Sequence, residues 1–186
     1  MRCFIAIELP DEVRGRLVRV QERLAGLGRA VRWTKAAQAH LTVKFLGEVP
    51  DDRIALVCEA ARRIAGRHPP FELTVQGLGC FPPRGPVRVL WAGVEPLPPA
   101  LIDCRRECEQ TFVEMGYERE HRPFAPHLTL GRVTDLRAST PIREALRAAE
   151  PFSAGTFTVH ELIVFESVLA PSGPRHTPLA RAALRT

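Results

Sequence analysis

The tetrapeptide His40-Leu41-Thr42-Val43 returns in the other half of the 186-residue chain as His127-Leu128-Thr129-Leu130. A repeat at about half the chain length points to duplicated lobes. In a strand, residues i and i+2 face the same way. His40 and Thr42 therefore share one face while Leu41 and Val43 point into the core, and His127 and Thr129 do the same above Leu128 and Leu130. Two such strands set across a cleft bring two imidazoles and two hydroxyls to one place. That requirement, two matching strands opposed across a gap, restricts the fold more than any other feature of the chain.

The remaining sequence alternates short strand patterns with helical ones. Arg2 to Leu9 reads as a buried strand, and Val13, Leu17, Val20 and Leu24 follow Pro10 at helical spacing until Gly26 and Gly28. A strand around Val31 to Trp33 precedes the first motif. Asp51 or Asp52 is placed to cap a helix with Ile54, Val57, Cys58, Ala61 and Ile64 on one face, stopped at His68-Pro69-Pro70. Phe71 to Gln76 alternates with period two, Gly77 to Pro86 reads as a Gly/Pro-rich loop, and Val87 to Val94 as another strand. Pro98 and Pro99 open a helix with Leu101, Ile102, Cys108, Phe112 and Met115 at core spacing, closed by Gly116. Pro141 opens a short helix, two strands run from about Ser153 to His160 and from Leu162 to Leu169, and a short tail carries Leu179 and Leu184. The expected fold class is α+β, one unit over residues 1–186 made of two similar lobes with interleaved strands, with Pro96-Leu97-Pro98-Pro99 as the only plausible hinge between halves.

Composition limits the partners. Apolar residues make up 45% of the chain, enough for a core, and charged residues 25%. The net charge of +5 suits an anionic partner without requiring one. Five irregularly spaced cysteines indicate reduced thiols in a cytosolic setting. Cys104 and Cys108 share a helix face, but no second pair at ligand spacing accompanies them, so core packing is the reading and no metal is expected. The N-terminal apolar run is too short for a leader or a membrane span. A cytoplasmic monomer, free of cofactors, is the expectation.

Two histidines at one site are suited to opening a cyclic phosphodiester. One, neutral, takes a proton from water; the other, protonated, gives a proton to the leaving sugar oxygen. An imidazole titrating near about 6.5 serves either role. The threonine hydroxyls can donate to the non-bridging phosphate oxygens. Spacing alone leaves open which histidine is acid and which is base. It also leaves open a module that binds RNA ends without chemistry and a histidine-ligated metallohydrolase, although the latter lacks acidic residues near either motif in sequence.

Beyond the two tetrapeptides, the chain resembles the 2H phosphoesterase superfamily and, within it, the RNA 2′,3′-cyclic phosphodiesterase (2′-5′ RNA ligase) family. The resemblance runs through Arg2-Cys3-Phe4-Ile5-Ala6-Ile7, Trp33, His40 to Gly47, Gly79-Cys80-Phe81-Pro82, Arg88 to Gly93, Pro126 to Arg132, Glu166 to Leu169 and Gly173. It implies a bilobal, pseudo-symmetric LigT-like fold, with antiparallel sheets lining a central cleft and helices outside. It implies hydrolysis of RNA 2′,3′-cyclic phosphate ends to a 2′-phosphate, with His40 as proton donor and His127 as proton acceptor, and reversible 2′-5′ ligation. The same fold acting on a small cyclic nucleotide or ADP-ribose cyclic phosphate is the alternative. One departure is His176, near which relatives carry tyrosine.

Other residues are candidates for substrate contact. Lys44 shares the parity of His40 and Thr42 and is expected at the cleft mouth. Arg132 has the opposite parity to His127 and reaches the site only if its strand bulges. Arg84 and Arg88 flank the Gly/Pro loop and can meet RNA phosphates. Phe45, Phe81, Trp91 and Phe124 can stack a base. His176 can line the cleft, whereas His68 and His121 are expected in solvent and His160 in a structural role.

Overall fold

The computed structural model describes residues 1–170 and 173–185. Along its first strand, β1 (Arg2–Glu8), Cys3, Ile5 and Ile7 face one side and Phe4 and Ala6 the other, and all five are buried. The first set joins the main core; the second joins a separate small cluster with Ile163 and Phe165. A strand buried on both faces belongs in the middle of a sheet. Here β1 lies between β3 (His40–Glu48) and β8 (Glu161–Ala170) in an antiparallel sheet of order β3-β1-β8-β9, where β9 is Gly173–Ala183. The second sheet has the order β2-β6-β5-β4-β7. Its strands are β2 (Val31–Trp33), β4 (Phe71–Phe81), β5 (Val89–Val94), β6 (His127–Val133) and β7 (Ser153–Val159).

Helices cover the outer faces. Those named α2 (Ile54–Ala65) and α3 (Pro99–Glu114) pack with the first sheet, and α1 (Asp11–Arg23) and α4 (Ser139–Ala148) with the second. Each lobe is thus an antiparallel sheet backed by two helices. The lobes are interleaved along the chain, since β1, β3, β8 and β9 come from both ends of it. The Pro96 to Pro99 segment joins β5 of one lobe to α3 of the other, one of several crossings rather than a hinge between consecutive halves.

Other local expectations also shift. The Gly/Pro loop begins later, because β4 continues through Gly77 and Gly79 to Phe81. A side chain at Gly79 would run into the Trp91 indole, whose Cζ2 lies 2.2 Å from where a Cβ would sit. Glycine is therefore what lets the ring lie across the strand. The tail is β9, an edge strand that tolerates Pro174 and Pro178 because its outer ladder is unpaired. Asp51 to Arg53 make a 3₁₀ turn ahead of α2, and no side-chain cap bond forms there. On α3 the core face is Leu101, Cys104, Cys108 and Phe112, while Ile102 is 42% exposed. All five cysteines are free thiols.

Candidate active site

Both motif strands carry a β-bulge at the same place. On β3, Thr42 pairs with Ala6 and Lys44 with Ile5, so Val43 is the extra residue. On β6, Thr129 pairs with Trp91 and Gly131 with Leu90, so Leu130 is extra. A bulge adds one residue and reverses the parity of everything after it. The consequence is opposite for the two candidate cations. Lys44 turns away from the cleft and is 3% exposed, ion-paired to Glu109 at 3.1 Å, so it does not line the cleft mouth as expected. Arg132 turns onto the His127 face, through the bulge that its parity required. The place of Arg132 is taken on β3 by Phe45, 59% exposed and paired with Phe4.

The two histidines are held alike. His40 Nδ1–H donates to the Gln38 carbonyl at 2.8 Å, and His127 Nδ1–H to the Ala125 carbonyl at 2.7 Å. A carbonyl only accepts, so each bond fixes the proton of the neutral ring on Nδ1 and leaves Nε2 with a free lone pair. Each ring also rests on a phenylalanine. Phe4 lies 4.7 Å from His40 between centroids, and Phe81 stands edge-on to His127 at 4.9 Å. Thr42 and Thr129 are half-buried on the same faces, and β3 and β6 come into contact although they belong to different sheets.

Burial depresses both imidazoles. It pushes His40 down to about 4 against the opposing bond to Gln38, with the charges of His176 and His127 adding to the fall. His127 is lowered by burial and by the nearby Arg132 guanidinium, against its bond to Ala125. His176 stands edge-on to His40 at 5.0 Å, its buried Nδ1 without a partner among the described residues, and burial lowers it too. In the free protein all three rings are neutral at pH 7.

The structure distributes the other candidates unevenly. Phe81 is beside His127, also 5.3 Å from Trp91, which forms the floor of that wall. His176 lines the opposite wall. Phe124 sits under Arg105, whose guanidinium carbon is 5.4 Å from its centroid, and packs on the core. Arg84 is exposed on the turn after Phe81 and Arg88 is exposed where β5 begins. His68 is half-buried and bonded to Glu107 at 2.8 Å rather than free in solvent, and His160 is exposed between β7 and β8.

Three residues lacked a sequence signal. Gln38 donates its side-chain amide to the Pro174 carbonyl while its own carbonyl holds His40. Gln21 bonds the carbonyl of the bulge residue Leu130 at 2.9 Å. Arg143 donates to the Gly85 carbonyl at 2.8 Å and so pins the turn beyond Phe81. Only the three-dimensional pairing of distant segments identifies them. Glu8 is cross-strand from His40, but its carboxylate is engaged by Arg14 at 3.2 Å and Arg181 at 3.1 Å. Among the described residues no group of three or more His, Cys, Asp or Glu side chains is placed to hold a metal ion. Among them, too, no helix is long and apolar enough to cross a membrane.

The family described as LigT like phosphoesterase matches this chain over residues 7–91 and 93–176, one segment for each motif. The RNA 2′,3′-cyclic phosphodiesterase of Methanothermobacter thermautotrophicus is 31% identical over 179 residues, covering 96% of each chain. That of Escherichia coli K12 is 33% identical over 185 residues, covering 98% of this chain and 96% of its own. Among solved structures, E. coli LigT complexed with 3′-AMP superposes with a TM-score of 0.81 at 30% identity, over all of this chain and 98% of that one. TT0787 of Thermus thermophilus superposes with a TM-score of 0.84 at 29% identity and the same coverage.

Proposed function

Given that this chain belongs to the LigT-like phosphoesterase family, we propose that it hydrolyses RNA 2′,3′-cyclic phosphate ends to 2′-phosphates, with His40 and His127 as the acid–base pair. The observation that carries the reading is the matched pair of Nδ1–H bonds to backbone carbonyls, which leaves both Nε2 atoms free to exchange protons. Relatives of nearly equal length named RNA 2′,3′-cyclic phosphodiesterase support the substrate class.

Nε2 of neutral His127 takes a proton from water as the water oxygen bonds to phosphorus. The bond from phosphorus to O3′ breaks, and Nε2–H of protonated His40 gives its proton to that oxygen. The product carries a 2′-phosphate and a 3′-hydroxyl, with the proton pattern of the pair reversed until solvent resets it. Thr42 and Thr129 hydroxyls donate to the non-bridging oxygens, where charge builds up. Arg132 meets the phosphate, and Phe81 and Phe45 offer ring faces to a base. His176 and Arg84 contribute to substrate binding at the edge of the site, and Phe124 backs it.

Because burial holds His40 neutral in the free protein, the bound phosphate anion supplies the charge that lets it carry a proton. Acid, base and anion stabilisation all come from side chains, so the reaction proceeds without a metal. A 5′-hydroxyl in place of water would form a 2′-5′ linkage by the same proton transfers. The test is end-group analysis of an oligonucleotide 2′,3′-cyclic phosphate after incubation with EDTA. A 2′-phosphate is expected. A 3′-phosphate would exchange the two histidine roles, and no turnover by the untreated protein would overturn the proposal.

A further inference from the structure

The mechanism leaves Lys44 unused, yet it is among the most buried charges in the molecule. Its ammonium is 3.1 Å from Glu109 Oε1 and donates to the Glu118 carbonyl at 2.6 Å. The same Oε1 accepts the Glu120 N–H at 2.8 Å, and Arg105 pairs with Glu109 Oε2 at 2.9 Å. Arg105 in turn lies over the Phe124 ring. Glu118, Glu120 and Phe124 are successive points on the segment from the end of α3 to His127, and that segment ends at the Ala125 carbonyl holding the His127 ring. An unbroken set of contacts therefore runs from the strand of His40 to the imidazole of His127.

We infer that Lys44, with Glu109 and Arg105, is a positioning strut that sets the His127-bearing segment against the strand of His40, an inference that rests on the acid–base reading above. The fold itself does not demand a charge there. Gly131 holds the corresponding place after the bulge of β6, where a Cβ would meet Val31 Cγ1 at 2.5 Å. Nor does stability demand it, because an apolar pair of similar volume is often as stable as a buried ion pair. What the ion pair adds is directed bonds to one backbone carbonyl and one backbone N–H, which an apolar pair cannot make. The environment of Glu109 agrees. Burial would raise its carboxyl, but the Glu120 N–H, Lys44 and Arg105 together hold it below its ordinary value. The carboxylate is charged, with Oε1 bonded to Lys44 and the Glu120 N–H and Oε2 held by Arg105 through charge alone.

The experiment compares Lys44→Met and the double variant Lys44→Met/Glu109→Leu with the wild type. It measures kcat and KM on an oligonucleotide 2′,3′-cyclic phosphate and titrates the His40 and His127 rings by NMR. A displaced base costs about 10–100-fold in rate, so kcat should fall by that factor with KM little changed. The His127 titration should move while that of His40 stays. The double variant keeps the proposal testable if the single one does not fold, and Arg105→Leu is read in the same way if neither folds. Folded variants with wild-type kcat and a wild-type His127 titration would overturn the strut. If the wild type does not cleave the substrate, the proposed activity fails on its own, and the His127 titration still decides the strut.

Discussion

At the scale of single residues, burial lowers both imidazoles, whereas the proposed mechanism needs one of them protonated. Replacing His40 or His127 by Ala should lower kcat by about 10²–10⁴, the usual worth of a general acid or base; steady-state kinetics on a cyclic-phosphate dinucleotide checks it. The pH profile gives a sharper test. In the free protein His40 titrates at about 4 and His127 below its ordinary value, and kcat/KM reports free-enzyme groups. The optimum of kcat/KM should therefore lie on the acid side of about 6.5. With the anionic substrate bound, the donor imidazole rises, so the optimum of kcat should lie at higher pH. Coincident optima would mean that the phosphate does not touch the donor.

At the scale of elements, period-two reasoning holds up to the bulges and fails beyond them. The shared faces of His40 with Thr42 and of His127 with Thr129 were legible because local sequence alone decides alternation. The directions of Lys44 and Arg132 were not, because a bulge exists only relative to the strand opposite. The same limit hid β9, whose prolines read as a tail until β8 was there to pair with it, and the end of β4, where Gly79 makes room for a ring on another strand. The β2–β6 register has its own consequence. Arg32 and Arg132 are direct cross-strand partners, and like charges so placed cost about 0.2–1 kcal/mol. Arg32→Gln should therefore raise the melting temperature slightly and weaken binding of an oligonucleotide end, as read by calorimetry and a binding titration. Gly131→Ala should go the other way on stability, losing about 1–3 kcal/mol from the clash with Val31 in a denaturant titration.

For the molecule as a whole, the site's burial makes stability depend on pH. The unfolded chain takes up a proton at His40 near its ordinary value of 6.5, whereas the folded chain resists until about 4. Stability rises with pH wherever the unfolded state binds more protons. It is therefore lost as pH drops from 6.5 toward 4 and is intact above that window. A His40→Gln protein should lose less stability across the same interval, measured by urea midpoints at successive pH values. Interleaving of the lobes carries a further consequence, for synthesis. The sheet that bears His40 takes β1 and β3 from the start of the chain and β8 and β9 from residues 161–183. On the ribosome, β1 is a central strand without one neighbour until residues 161–170 emerge, and its Phe4 and Ala6 stay uncovered by Phe165 and Ile163. Non-local pairing of this kind folds slowly. The sheet that bears His40 therefore closes late in synthesis, because β8, the second partner of β1, and β9, which pairs with β8, come only with residues 161–183.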